Sequence, residues 1–266
     1  MSRCLPGLIT CLLLPGLFCS GSATAQDLRD RAVLKLNFDD DAAPLADLAS
    51  AGKVKDVATL PKDASRIPSA CIKNSSGRSL LLDPAKGQQL VIASSEDLVR
   101  PDAVTISALF ASLHPDSDAT FHGLFAKRNA TEGNPTNYGI NFGPSTDNLQ
   151  LYINAGGGYK VVNFSAKAAL GSRRRVHLTA SFDNSDAPAA DADADVDDVR
   201  VRLFINGQPL KPTGIGAGLI EGNAAWLTDV SLATCVSNTP FTVGSSFTDG
   251  ELTRLICEDL FVFAEA

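Results

Sequence analysis

Eight segments of this chain alternate apolar and polar residues with period two, and that pattern constrains the fold more than any other feature. AVLKLNF (Ala32–Phe38) comes first, followed by QQLVIAS, AVTISALFASL, YGINFG, NLQLYIN, YKVVNF, VHLTASF and VRVRLFIN. Turn-forming residues separate them: Asp83-Pro84, Gly133-Asn134-Pro135, Gly143-Pro144, Gly156-Gly157-Gly158 and Asn206-Gly207. A strand of period two buries one face, so a series of such strands must close around a shared core as a sandwich or a barrel. The clearest unit is a hairpin from Asn148 to Phe164, two alternating strands around a glycine-rich turn. No helix-period segment of useful length, internal repeat or linker interrupts the series.

The first residues read differently. Met1-Ser2-Arg3 gives a short positive start, and Leu12, Leu13, Leu14, Leu17 and Phe18 form an apolar stretch. Ala23-Thr24-Ala25 then supplies small residues ahead of Gln26. This is the pattern of a secretory signal peptide over residues 1–25, cut between Ala25 and Gln26. The apolar part is broken by Pro6, Pro15 and Gly16 and is too short for a bilayer span. A lipid anchor on Cys19 is disfavoured by bulky Phe18 before it. The expectation is an exported protein, extracellular or periplasmic, with one domain over residues 26–266. That domain has roughly 240 residues, within the range of one large all-β unit.

Composition narrows the partners. The chain carries a net charge of -7 and a pI of about 4.9, which repels phosphate backbones and argues against nucleic acid. Three cysteines leave with the signal, and Cys71, Cys235 and Cys257 remain. Two of the three are expected to pair in an oxidising compartment. The spacing leaves the pairing open, with Cys235–Cys257 favoured. Zinc-type spacings are absent. The segment DNSDAPAADADADVDD, from Asp183 to Asp198, has almost nothing apolar to bury and is expected to be a mobile acidic loop. Its regular aspartates fail as an EF-hand: counted from Asp191, Val196 and Arg202 stand where glycine and glutamate are required.

Enzymatic patterns are missing. No E-x-D-x-x-E run places paired carboxylates on one strand face, and Glu96-Asp97 and Glu258-Asp259 are adjacent rather than alternating. No G-x-S-x-G occurs. AGGGYK reads as a hairpin turn, not a phosphate-binding loop. His114 and His122 flank a turn and read as surface residues.

Several strands together resemble a known family. VHLTASFD followed by VRLFINGQPL is similar to the paired strands of laminin-G-like, concanavalin A-like domains. His177, Phe182 and Asp183 match the first strand, and Leu203, Phe204, Ile205, Asn206 and Gly207 the second. GRSLLLD, VTISALFAS, FTVGSS and the closing LICEDLFVF resemble further pieces in the family's order. Arg175 and Leu109 replace tryptophans of the family pattern. The resemblance implies a two-sheet antiparallel β-sandwich of the jelly-roll type and a buried strand histidine at His177. It also implies a structural calcium between the first and last strands. The positions matching that metal site are Asp39, Glu258 and Asp259, with the loop near DLASAG. By fold analogy the chain is expected to be a non-catalytic binding module for carbohydrate. Its alternatives are an extracellular protein-interaction or adhesion module and, further off, a divergent glycoside hydrolase. Sugar sites use exposed aromatic faces. Tyr159, after the glycine turn, and Trp226, in an irregular segment, are the candidates, while Tyr138 and Tyr152 alternate with apolar residues and read as core.

Overall fold

The computed structural model describes residues 31–38, 58–59, 65–68, 78–99, 102–112, 120–131, 133–144, 148–165, 170, 175–185, 187–188 and 198–266. They form two antiparallel sheets. The first runs β15 (Leu219–Glu221), β16 (Ala224–Leu227), β12 (Val199–Ile205), β11 (Arg175–Asn184), β6 (Ala103–Ser112), β18 (Leu255–Phe263), β4 (Arg78–Leu82) and β3 (Ser65–Pro68). In that sheet β1 (Leu34–Asn37) also pairs with β18, and β13 (Gln208–Pro209) with β12. The second runs β14 (Pro212–Ile215), β10 (Tyr159–Ser165), β9 (Asn148–Asn154), β8 (Thr136–Phe142), β7 (His122–Lys127), β17 (Phe241–Val243), β5 (Leu90–Ile92) and β2 (Ala58–Thr59). The fold is a two-sheet antiparallel β-sandwich, as the alternation requires.

The period-two pattern does the sorting. In β12, Val199, Val201, Leu203 and Ile205 are buried, and the residues between them are partly exposed. Aromatic pairs bridge the two sheets. Phe110 of β6 meets Phe125 of β7 edge-on at 5.9 Å, and Tyr138 of β8 lies 6.1 Å from Phe182 of β11. The Tyr138 hydroxyl donates to the Leu98 carbonyl at 2.9 Å, so its polar end is satisfied inside the core. Truncating such a ring to alanine costs about 3–5 kcal/mol.

The closing strand explains its own acids. Leu255 and Cys257 face the core, and so do Leu260 and Val262, so the inward set changes parity between 257 and 260. A β-bulge absorbs the extra residue. Cys257 opposes Phe110 and Asp259 opposes Leu109, leaving Glu258 outside the β6 register. The bulge also marks a change of partner on the other edge of β18. Residues 255–257 pair with β4, and residues 259–262 pair with β1.

Three expectations need correction. His177 does not sit in the core. Val176 and Leu178 take the inward positions, and the ring is exposed, hydrogen-bonded through Nε2 to Ser107 at 2.8 Å. No disulfide joins Cys235 and Cys257; both lie within the apolar core, and Cys71 lies outside the described residues. The acidic segment is built in at both ends. Asp183 is a β11 residue bonded to Arg200 at 2.6 Å. Asp198 is buried, accepting from the backbone N–H of Ala187 at 2.8 Å and of Asp229 at 3.2 Å. Residues 189–197 lie outside the described set.

Candidate ligand-binding cleft

Alternation that turns Leu149, Leu151 and Ile153 of β9 into the core turns Gln150, Tyr152 and Asn154 onto the opposite face of the second sheet. Register then lines up that face across strands. Asn141, Gln150 and Asn163 are cross-strand neighbours on β8, β9 and β10, and Gly139, Tyr152 and Val161 form the next row. The first row is an amide ladder: Gln150 Nε2 and Asn148 Nδ2 both donate to Asn163 Oδ1, at 3.0 and 2.9 Å. The second row needs glycine, because a Cβ at position 139 would fall 2.1 Å from the Tyr152 ring.

Over these rows lies a cleft of about 440 Å³, lined among others by Phe121, Arg128, Tyr152, Tyr159, Phe247 and Glu251. That volume is within the range of small-molecule sites. Arg128 organises it. Its guanidinium carbon lies 4.8 Å from the Tyr159 ring centre, 5.0 Å from Phe247 and 5.6 Å from Tyr152. Nε donates to the Tyr159 hydroxyl at 2.9 Å, and a terminal nitrogen donates to Glu251 at 2.8 Å. Tyr152 and Tyr159 meet edge-on at 5.6 Å. Such cation–ring contacts contribute about 0.5–2 kcal/mol each, more as water is excluded. Burial pushes the Tyr152 phenol up to about 12, so it stays neutral; its hydroxyl lies beside Arg128 and Ser246 without a well-formed hydrogen bond to either. Phe121 is 41% exposed at the mouth, an apolar ring open to solvent.

The loop before β18 sets the far wall. Asp249 and Glu251 both have left-handed backbones, with φ of 63° and 52°, and Gly250 between them lets the Phe247 ring pack against the chain. The loop is tied down by Gln89, whose Nε2 donates to Asp249 at 2.7 Å, and by the Gly123 N–H, which donates to the Glu251 carbonyl at 2.8 Å. His122 adds a tie through Nδ1 to the Leu252 carbonyl at 2.8 Å, so it is half-buried rather than a surface residue; His114 lies outside the described residues.

The two aromatic candidates part company. Tyr159 is in the cleft, half-exposed. Trp226 is 7% exposed on β16 of the other sheet, and its Nε1 is buried without a hydrogen-bond partner among the described residues. Tyr138 is core, whereas Tyr152 is buried on the outer face beneath Arg128. The residues that build the cleft around Tyr159, above all Arg128, Phe247 and Glu251, carry no motif. Of the metal candidates, Glu258 is buried at the β18 bulge and Asp259 stands opposite Asn37 at the end of β1. Asp39 lies outside the described residues, and among those described no group of three or more histidines, cysteines or acids converges as a metal site.

No family model matches the chain, and no curated protein matches it. Solved structures do. The chain is similar to the botulinum neurotoxin serotype D binding domain, with a TM-score of 0.56 at 12% identity, covering 89% of this chain and 48% of that one. It is similar also to the binding domain of botulinum neurotoxin DC solved with SialylT, TM-score 0.53 at 13% identity, covering 89% and 48%. The same binding domain solved with rat synaptotagmin II gives a TM-score of 0.55 at 12% identity, covering 89% and 49%. The chain thus spans about half the length of the structures it matches, and at this identity the likeness establishes a shared β-sandwich fold.

Proposed function

We propose that the chain is a secreted, non-catalytic module that binds carbohydrate in the cleft on the outer face of its second sheet. The observation that carries this reading is the side-by-side arrangement of an amide row, Asn141, Gln150 and Asn163, with an aromatic cluster around Arg128. Amides meet hydroxyl groups, and ring faces meet the C–H faces of a sugar. The fold supports it, since structures of similar architecture include a botulinum neurotoxin DC binding domain solved with SialylT and one from botulinum neurotoxin type C, whose cell entry depends on interaction with two ganglioside molecules. The complex with rat synaptotagmin II keeps a protein ligand as the second reading. Pairing of the first and last strands in one sheet supports the laminin-G-like affiliation.

Calcium belongs to the same proposal. Glu258 is a buried acid beside the end of β1, the place where such an ion would be held, with Asp259 and Asp39 as further ligands. An ion there would neutralise carboxylates and fasten the first strand to the last. The test is a screen of residues 26–266 against glycans and polysaccharides, run in calcium and in chelator. Binding without release of reducing ends is the expected result. Released reducing ends would overturn the non-catalytic reading, and binding to no glycan would overturn the carbohydrate reading.

A further inference from the structure

Arg128 is the one cation among the described residues that line the cleft, and its charge is already engaged. Rings of Tyr152, Tyr159 and Phe247 lie around the guanidinium, Nε is bonded to the Tyr159 hydroxyl, and a terminal nitrogen is bonded to Glu251. Its side chain is 13% exposed, against 24% for Glu251. A ligand entering the cleft therefore meets the carboxylate more readily than the guanidinium. Beside this charged pair the cleft wall is neutral: the amides of Asn141 and Gln150 line it, and amides suit the hydroxyl groups of an uncharged sugar.

Glu251 is held in place by its backbone. A left-handed conformation at a residue other than glycine persists when the surroundings enforce it. Here two such residues, Asp249 and Glu251, flank a glycine packed under Phe247, and Gln89 and Gly123 fasten the loop.

We infer that Glu251 makes the cleft selective for uncharged glycans, by occupying on Arg128 the position that the carboxylate or sulfate of an acidic sugar would need. This rests on the carbohydrate reading above and specifies its ligand class. Like charges repel strongly where water is thinned, so an acidic sugar must either displace Glu251 or approach it unscreened.

The experiment is a glycan array carrying matched neutral, sialylated and sulfated oligosaccharides, probed with the wild type and with Glu251→Gln. The wild type should bind neutral members at least tenfold more tightly than their sialylated counterparts. Glu251→Gln, which frees the Arg128 charge while keeping side-chain shape, should shift that ratio at least tenfold towards the sialylated members. A wild type that prefers acidic glycans, or a ratio unchanged by Glu251→Gln, overturns the inference while leaving carbohydrate binding intact. Binding to no glycan by a wild type with a cooperative melting transition overturns both readings.

Discussion

Lys127 and Arg128 are adjacent in sequence and opposite in surroundings. Lys127, the last residue of β7, is fully buried, and its Nζ donates to Ser94 Oγ at 2.7 Å and to the Thr239 carbonyl at 2.5 Å. No acid pairs with it among the described residues, and burial lowers its pKa from 10.5 to about 8. Arg128, one step on, emerges on the outer face, where three rings and Glu251 surround it. The difference shows what a cation does when the fold supplies an acid and when it does not. Paired and stacked, it organises a site; enclosed with neutral acceptors, it weighs against folding. Guanidinium suits the first role because its flat faces stack and its fork bonds in plane, and an ammonium tolerates the second because it can release its proton.

Removing the organised cation should cost the most. Arg128→Ala takes away two hydrogen bonds and the ring contacts and leaves Glu251 facing apolar surface. It should lower stability by roughly 3 kcal/mol in urea unfolding and abolish glycan binding. A loss under about 1 kcal/mol would show that the ring cluster stands without it.

Glu258 is a buried acid at the β18 bulge. If calcium sits at the bulge, a hundredfold excess over the dissociation constant should stabilise the chain by about 2.7 kcal/mol, read as a higher melting temperature than in chelator. Glu258→Gln should remove that increment. Identical melting curves in millimolar calcium and in chelator would place Glu258 in the fold without a metal.

Removing the enclosed cation should have the opposite sign. Below pH 8 both folded and unfolded chains hold the Lys127 proton, and the folded state carries the full penalty of burying the charge. Between about pH 8 and 10.5 the unfolded chain holds more protons, so stability rises with pH, by up to roughly 3 kcal/mol. Lys127→Met removes both the penalty and the slope. Offset by the two lost hydrogen bonds, it should stabilise the protein by roughly 1–2 kcal/mol at pH 7, with the gain gone by pH 10.5. A destabilised variant at pH 7 would mean the amine's hydrogen bonds outweigh its burial.

Tyr159→Phe is the mildest probe. It removes the phenol that Arg128 Nε bonds while keeping the ring, and should cost about 1 kcal/mol of stability. No change in urea unfolding would show that the Arg128 Nε bond contributes nothing.

Much of the fold was legible because alternation reports burial directly. The parity of Leu149, Leu151 and Ile153 names the core face of β9, and the same parity puts Tyr152 with Gln150 and Asn154 on the other face. Reading Tyr152 as core followed its apolar neighbours instead of its phase. A buried His177 is what the family resemblance implies, and the strand's own phase contradicts it: Val176 and Leu178 claim the inward positions, and the residue between them faces out. The β18 bulge was hidden because an extra residue erases parity locally, so Glu258 and Asp259 stand adjacent with no alternation to assign them a face. The cleft was less legible still. Arg128 and Glu251 lie 123 positions apart and meet through a loop of left-handed residues, which no short motif encodes. Tyr159 was visible as an aromatic after a turn, but nothing local distinguished it from Trp226.

A ligand site on the outer face of the second sheet has a direct test. Isothermal titration of the strongest neutral glycan from the array should be run against the wild type, Tyr159→Ala and Trp226→Phe. Binding in the cleft predicts that Tyr159→Ala loses at least tenfold in affinity, about 1.4 kcal/mol, while Trp226→Phe keeps the wild-type value. Wild-type affinity in Tyr159→Ala, with loss in Trp226→Phe, would contradict it and move the site to the other sheet.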